Sequence, residues 1–134
     1  MPKKILIIDD DPDVVLFLST VLQDHGYDTI DAPNGQEGLK KARSELPDLV
    51  LLDLMMPQKS GIALLSDMKE DDSLKRIPVI MVTGVSGETG IDLESFFQRN
   101  SNSIENNGVM RPQGLIKKPV DPEKLIKLVK KALE

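Results

Sequence analysis

Short uncharged runs alternate along the chain with longer stretches whose apolar residues recur at helical spacing. Ile5 to Ile8 is continuously apolar and rich in β-branched residues, the pattern of a strand covered on both faces. Asp11 follows as a candidate N-cap with Pro12 at the first helical position. Val15, Leu18, Val21 and Leu22 then share one helical face until Gly26 stops the helix. Tyr27 to Ala32 alternates enough for a strand near a sheet edge. Asn34 and Glu37 have capping-box spacing and predict a short helix ending near Ser44.

The second half keeps this beat. "DLVLLD" (48–53) is another apolar strand, followed by the loop "LMMPQKSG" and a helix from about Ile62 to Lys69. "IPVIMVTG" (77–84) predicts the next strand, with Pro78 tolerated near its start. A helix is expected over about 88–99, then a polar stretch, then "GLIKKP" as a last short strand. Asp121 and Pro122 repeat the cap-plus-proline signature before a closing helix with Leu125, Leu128, Val129 and Ala132 on one face. Five strands and five helices in strict alternation predict a three-layer α/β domain, doubly wound, with a parallel sheet and right-handed crossovers.

Composition narrows the possibilities further. At 134 residues, 40% hydrophobic and 29% charged, the chain has the size of one domain with one core. With no cysteine, disulfides, thiolate metal sites and a cysteine nucleophile are excluded. The start "MPKKILIIDD" lacks the pattern of a secretory signal, and no run reaches the ~18 apolar residues of a membrane span. A cytoplasmic protein without a membrane partner is expected. The net charge of −5 argues against binding nucleic acid by itself.

In open parallel sheets ligands bind beyond the carboxyl ends of the strands, at the switch point in strand order. Asp9 and Asp10 follow the first strand, Asp53 ends the third, Thr83 the fourth and Lys118 the fifth, so all five are expected on one rim. Three carboxylates so placed resist simultaneous ionisation. A hard divalent cation relieves that, and oxygen ligands suit Mg²⁺. With a lysine and a hydroxyl nearby, the set fits Mg²⁺-assisted handling of a phosphoryl group.

The segments "LIIDDD", "LVLLDLMMPQKSG", "PVIMVTG" and "IKKP", in this order, resemble the receiver domain of bacterial two-component response regulators, single-domain chemotaxis-like receivers included. The resemblance covers essentially the whole chain, and it implies a flavodoxin-like fold with strand order 2-1-3-4-5. It further implies that Asp53 is a phosphoacceptor attacking a phosphohistidine on a sensor histidine kinase or phosphotransfer protein. Asp10 would ligate Mg²⁺ directly, Asp9 mainly through water, and Met55 through its backbone carbonyl. Thr83 and Lys118 would engage the new phosphoryl group. Lys117 is the nearer rival for the rim lysine, and the resemblance selects Lys118 because it precedes Pro119.

Simpler readings cover several neighbouring residues. Asp11 and Asp13 read as a helix cap and its first turn, and His25 as a residue at a helix end. Lys124, Lys127, Lys130 and Lys131 read as a solvated helix face that an acidic partner could meet. The chain also departs from the family twice. Leu115 stands where receivers usually carry an aromatic residue, three positions before the rim lysine. The interval from Thr83 to Lys118 is longer than usual, so residues 1–134 are read as one receiver domain with an enlarged region at about 84–114 that includes Phe96 and Phe97. A downstream protein target is expected on the 84–134 face. A stand-alone receiver and a fragment of a longer regulator are both compatible with the end at Glu134.

Two other functions compete. A degenerate receiver would bind partners without being phosphorylated. A Mg²⁺-dependent aspartate phosphatase would want a second acid two positions after its nucleophile, where this chain has Met55.

Overall fold

In a computed structural model of the chain, the structure describes residues 2–53, 61–83 and 114–134, the side chains of Ile62 and Thr83 excepted. Among these residues the elements are, in order, β1 (Lys4–Ile8), α1 (Pro12–Asp24), β2 (Asp28–Ala32), α2 (Gly35–Glu45), β3 (Leu49–Asp53), α3 (Gly61–Glu70), β4 (Val79–Thr83), β5 (Gly114–Lys117) and α4 (Pro122–Leu133). The helix expected over 88–99, residues 84–113 of the enlarged region, Phe96, Phe97 and Met55 lie outside the described residues.

All strand pairs are parallel, in the order β2-β1-β3-β4-β5. This is the doubly wound, flavodoxin-like order the resemblance implied. Its reversal at β1 puts the switch point beside β3, where the acids were expected.

The apolar runs are continuous because both sheet faces are covered. Leu6, Ile8, Val50, Leu52, Val79 and Met81 point into one cluster with Ala42, Leu64, Leu65 and Met68 of α2 and α3. Ile5, Ile7, Leu49, Leu51, Ile80, Val82 and Ile116 point into the other, with Leu18, Leu22, Leu125 and Val129 of α1 and α4. Strand side chains alternate between faces, so each run divides between two cores. Each fully buried aliphatic side chain contributes about 1.5–3 kcal/mol.

Polar side chains punctuate the helices as their sequence signals predict. Asp11, Asn34 and Asp121 cap α1, α2 and α4 by accepting from the backbone N–H of Asp13, Glu37 and Glu123, each at 2.9 Å. Gly26 at φ +88° turns the chain out of α1, a conformation that costs glycine least. Gly38 lets α2 lie close on β1, since a Cβ there would stand 2.5 Å from Ile8 Cδ1.

Small boundary differences follow from proline. β4 begins at Val79 rather than at Ile77, because Pro78 has no N–H for the ladder, although its carbonyl accepts from Val50 N at 3.0 Å. β5 ends at Lys117, so Lys118 lies one residue beyond the strand rather than at its end, where Pro119 likewise offers no donor. The Lys118–Pro119 peptide is cis.

Candidate functional site

β1 and β3 are neighbours in register, with Ile8 opposite Leu52. The next residues, Asp9 just beyond β1 and Asp53 at the end of β3, therefore emerge at the same level on the carboxyl rim. The peptide N–H of Asp9 is fixed by Ala32 O at 3.1 Å, so the turn into α1 starts from an anchored point. Both side chains are buried, Asp9 3% and Asp53 4% exposed, whereas Asp10 is exposed. Carboxylate oxygens of Asp9, Asp10 and Asp53 lie within 4.8 Å of one another.

Three consecutive aspartates have three different tasks. Asp9 points inward, Asp10 joins the carboxylate group from the solvent side, and Asp11 turns its carboxylate to the N-terminus of α1. Asp11 also has a role that the sequence reading missed. Its peptide N–H donates to Asp9 Oδ1 at 2.9 Å and so orients the buried acid. The available signal was local, because aspartate side chains often accept from the N–H two residues on.

Among the described residues, Lys118 answers these charges. Lys118 Nζ lies 3.1 Å from Asp9 Oδ2 and 3.8 Å from Asp53 Oδ1. Lys117 is exposed on β5 while Lys118 is half-buried, which separates the two rim lysines. Among the described residues, three carboxylates facing one ammonium leave negative charge over in a partly buried place. Such an excess of hard oxygen donors suits Mg²⁺ and would accept no anion unaided. The residues present therefore fit the cation that the sequence suggested.

The remaining expected members are reached only in part. Thr83 ends β4, paired in register with Lys117, so its backbone is on the same rim. Met55 lies outside the described residues. Leu115, in the place of the usual aromatic, is half-buried against the cluster that contains Met81. His25 forms the C-cap of α1, with Nδ1 2.9 Å from Val21 O, far along the helix from the acids. Among the described residues no helix is long and apolar enough to cross a membrane.

Comparison with known proteins agrees with this geometry. The response regulator receiver domain family matches residues 5–130, and the chain belongs to that family. It is 31% identical over 133 residues to the polar-differentiation response regulator DivK of Brucella anthropi, covering 99% of this chain and 98% of DivK. It is 32% identical to the protein PilH of Pseudomonas aeruginosa, covering 97% of each. It is 40% identical over 88 residues to the alkaline phosphatase synthesis transcriptional regulatory protein PhoP of Bacillus subtilis. That match spans 66% of this chain and 36% of PhoP, so the similarity covers only about a third of the longer regulator.

Among solved structures, chemotaxis protein CheY4 of Vibrio cholerae superposes with a TM-score of 0.81 at 26% identity, covering 99% of this chain and 100% of that one. A CheY-like receiver domain protein of Methanospirillum hungatei gives 0.79 at 32%, covering 99% and 94%. Receiver domains are phosphoacceptor switches of two-component signalling rather than enzymes with a separate substrate, and the fold and acid cluster of this chain are of that kind.

Proposed function

We propose that residues 1–134 form one receiver domain that accepts a phosphoryl group on Asp53 from a phosphohistidine of a sensor histidine kinase or phosphotransfer protein. The carrying observation is the placement of Asp53, buried at the carboxyl end of the central strand with Asp9, Asp10 and Lys118 around it. An Asp53 carboxylate oxygen attacks phosphorus, the bond to the imidazole nitrogen breaks with its electron pair going to that nitrogen, and an aspartyl phosphate and a neutral imidazole, protonated on its other ring nitrogen, result. Hydrolysis by water returns Asp53 and inorganic phosphate, so the domain assists its own phosphorylation and dephosphorylation.

Mg²⁺, when bound, neutralises charge on the transferred oxygens. Asp10 and Asp53 would hold it directly, with the Met55 carbonyl, and Asp9 through water. Support for the last assignment is that the Asp9 oxygens already meet the Asp11 N–H and Lys118. Lys118 holds the phosphoryl group as a point charge, and Thr83 meets it with its hydroxyl. The output is a changed affinity for a downstream protein in the cytoplasm, through the 84–134 face.

The test is intact mass after incubation with a small acyl phosphate or phosphoramidate, with and without Mg²⁺, on wild type and Asp53→Ala. One added phosphoryl group requiring both Mg²⁺ and Asp53 is expected. A folded chain that stays unmodified with these donors and with a competent kinase would be a degenerate, partner-binding receiver. Steady release of phosphate from unrelated phosphate esters would instead favour a phosphatase.

A further inference from the structure

Asp9 is held at three atoms. Its peptide N–H donates to Ala32 O at 3.1 Å, its Oδ1 accepts from the Asp11 N–H at 2.9 Å, and its Oδ2 faces Lys118 Nζ at 3.1 Å. The second contact is set by a neighbour in the chain. Asp11 stands at φ −96° and ψ 110°, extended, and its own carboxylate accepts from the Asp13 N–H at 2.9 Å as the cap of α1. Pro12 supports the same conformation, because the residue before a proline favours extended backbone. Two turns of one kind thus follow each other, Asp9 to Asp11 and Asp11 to Asp13. The carboxylate of Asp11 fixes that residue on the end of the helix, and its N–H is thereby aimed at Asp9.

This lock decides how many oxygens the acid rim can offer a cation. Asp9 is 3% exposed, and a buried carboxylate oxygen that loses its donor must find another donor or a cation. With Oδ1 on a peptide and Oδ2 at Lys118, Asp9 reaches a metal through water. Released from the peptide, Oδ1 can bind a metal directly while Oδ2 stays at Lys118. The two arrangements suit different ions. Mg²⁺ demands a small octahedral shell and keeps several of its waters, so it accepts an acid one water away. Ca²⁺ takes about six to eight oxygens in flexible geometry and gains from each further carboxylate oxygen.

We propose that Asp11 determines the cation preference of the site by acting through Asp9: its N–H holds Asp9 Oδ1, keeps that acid one water away from the ion, and so favours Mg²⁺ over Ca²⁺. Asp11 touches neither the ion nor the phosphoryl group in this role. It is a positioning residue, and its carboxylate works by holding its own peptide in place. The proposal rests on the reading of Asp9, Asp10 and Asp53 as a cation site and concerns which cation that site prefers.

The experiment measures the dissociation constants of Mg²⁺ and of Ca²⁺ separately, from the rise of melting temperature of the full chain with metal concentration, and takes their ratio. Asp11→Pro removes the N–H and the cap, Asp11→Ala removes the cap and keeps the N–H, and Asp11→Asn keeps both. The preference for Mg²⁺ should fall at least about tenfold in Asp11→Pro and at least about threefold in Asp11→Ala, and stay within about twofold of wild type in Asp11→Asn. Asn34→Ala uncaps α2 in the same way and should also stay within about twofold, because a cap that does not hold Asp9 changes stability and not the ratio. A merely structural Asp11 would weaken both ions by one factor. An unchanged ratio in Asp11→Ala overturns the proposal whether or not Asp11→Pro folds, and an equal change in Asn34→Ala overturns it as well. A wild-type chain that binds neither ion removes the cation site and this proposal with it. Binding of Mg²⁺ by wild type with an unchanged ratio in the variants removes the role of Asp11 alone.

Discussion

Lys118 Nζ stands 3.1 Å from Asp9 Oδ2 and 3.8 Å from Asp53 Oδ1, so one ammonium joins acids at the ends of two neighbouring strands, closer to the first of them. Its side chain is 25% exposed while both carboxylates are almost fully buried. Removing the cation leaves those carboxylates facing each other in a place that water reaches poorly. Breaking a buried pair costs about 3–5 kcal/mol, and the partial exposure of the lysine reduces this to roughly 1–3. Lys118→Met, which keeps the aliphatic stem, should lower the unfolding free energy obtained from urea denaturation by that amount. Mg²⁺ should recover more stability in the variant than in wild type, because the metal then supplies the positive charge that Lys118 supplied. Equal recovery in both proteins would refute this account of the pair.

Asp10 is the exposed member of the carboxylate group, so its replacement disturbs the core least. Asp10→Asn should leave the melting temperature without metal unchanged or slightly raised, since one of three like charges is removed. The same variant should raise the Mg²⁺ dissociation constant at least about tenfold, read from the rise of melting temperature with metal concentration. An unaltered Mg²⁺ response would remove Asp10 from the ligand set.

Asp71 provides the pH prediction. The backbone N–H of Ser73 donates to its Oδ1 at 2.8 Å, and Arg43 Nε lies 3.1 Å from Oδ2. These contacts, the backbone bond foremost, hold the carboxyl below its ordinary value near 3.8. A group whose folded pKa is depressed adds stability above its unfolded pKa and loses it as pH falls through the folded value. Asp71→Asn should therefore be less stable than wild type at neutral pH, with the difference shrinking below about pH 4. Denaturation curves of both proteins from pH 3 to 7 make the comparison, and a gap independent of pH would contradict it.

Leu46 caps α2 in the left-handed region, at φ 45° and ψ 64°, with 57% of its surface exposed. An L side chain there costs about 1–2 kcal/mol, against which glycine loses up to ~1 in chain entropy. Little burial is at stake, so Leu46→Gly should raise stability by roughly 0.5–1 kcal/mol. The reading is a urea midpoint above that of wild type, and a lower midpoint would show that Leu46 makes a packing contribution larger than its backbone strain.

Much of the fold could be read from the chain because its signals are local. An aspartate followed by proline caps a helix wherever it stands, as at Asp11 and Asp121, and an unbroken apolar run such as Ile5 to Ile8 needs cover on both faces in any parallel sheet. Those facts determined the alternation of elements, and the alternation determined that Asp9, Asp10 and Asp53 share a rim. Tertiary structure decided what depends on distance in space between residues far apart in sequence. It chose Asp9 as the closer partner of Lys118, 109 positions away, and turned Lys117 to solvent. It paired Arg43 with Asp71 and laid Lys124 and Lys127 of α4 beside β5. Periodicity tells a residue which face it occupies. The neighbour across that face is set by strand order, register and the angle at which each helix lies on the sheet, and those are properties of the packed whole.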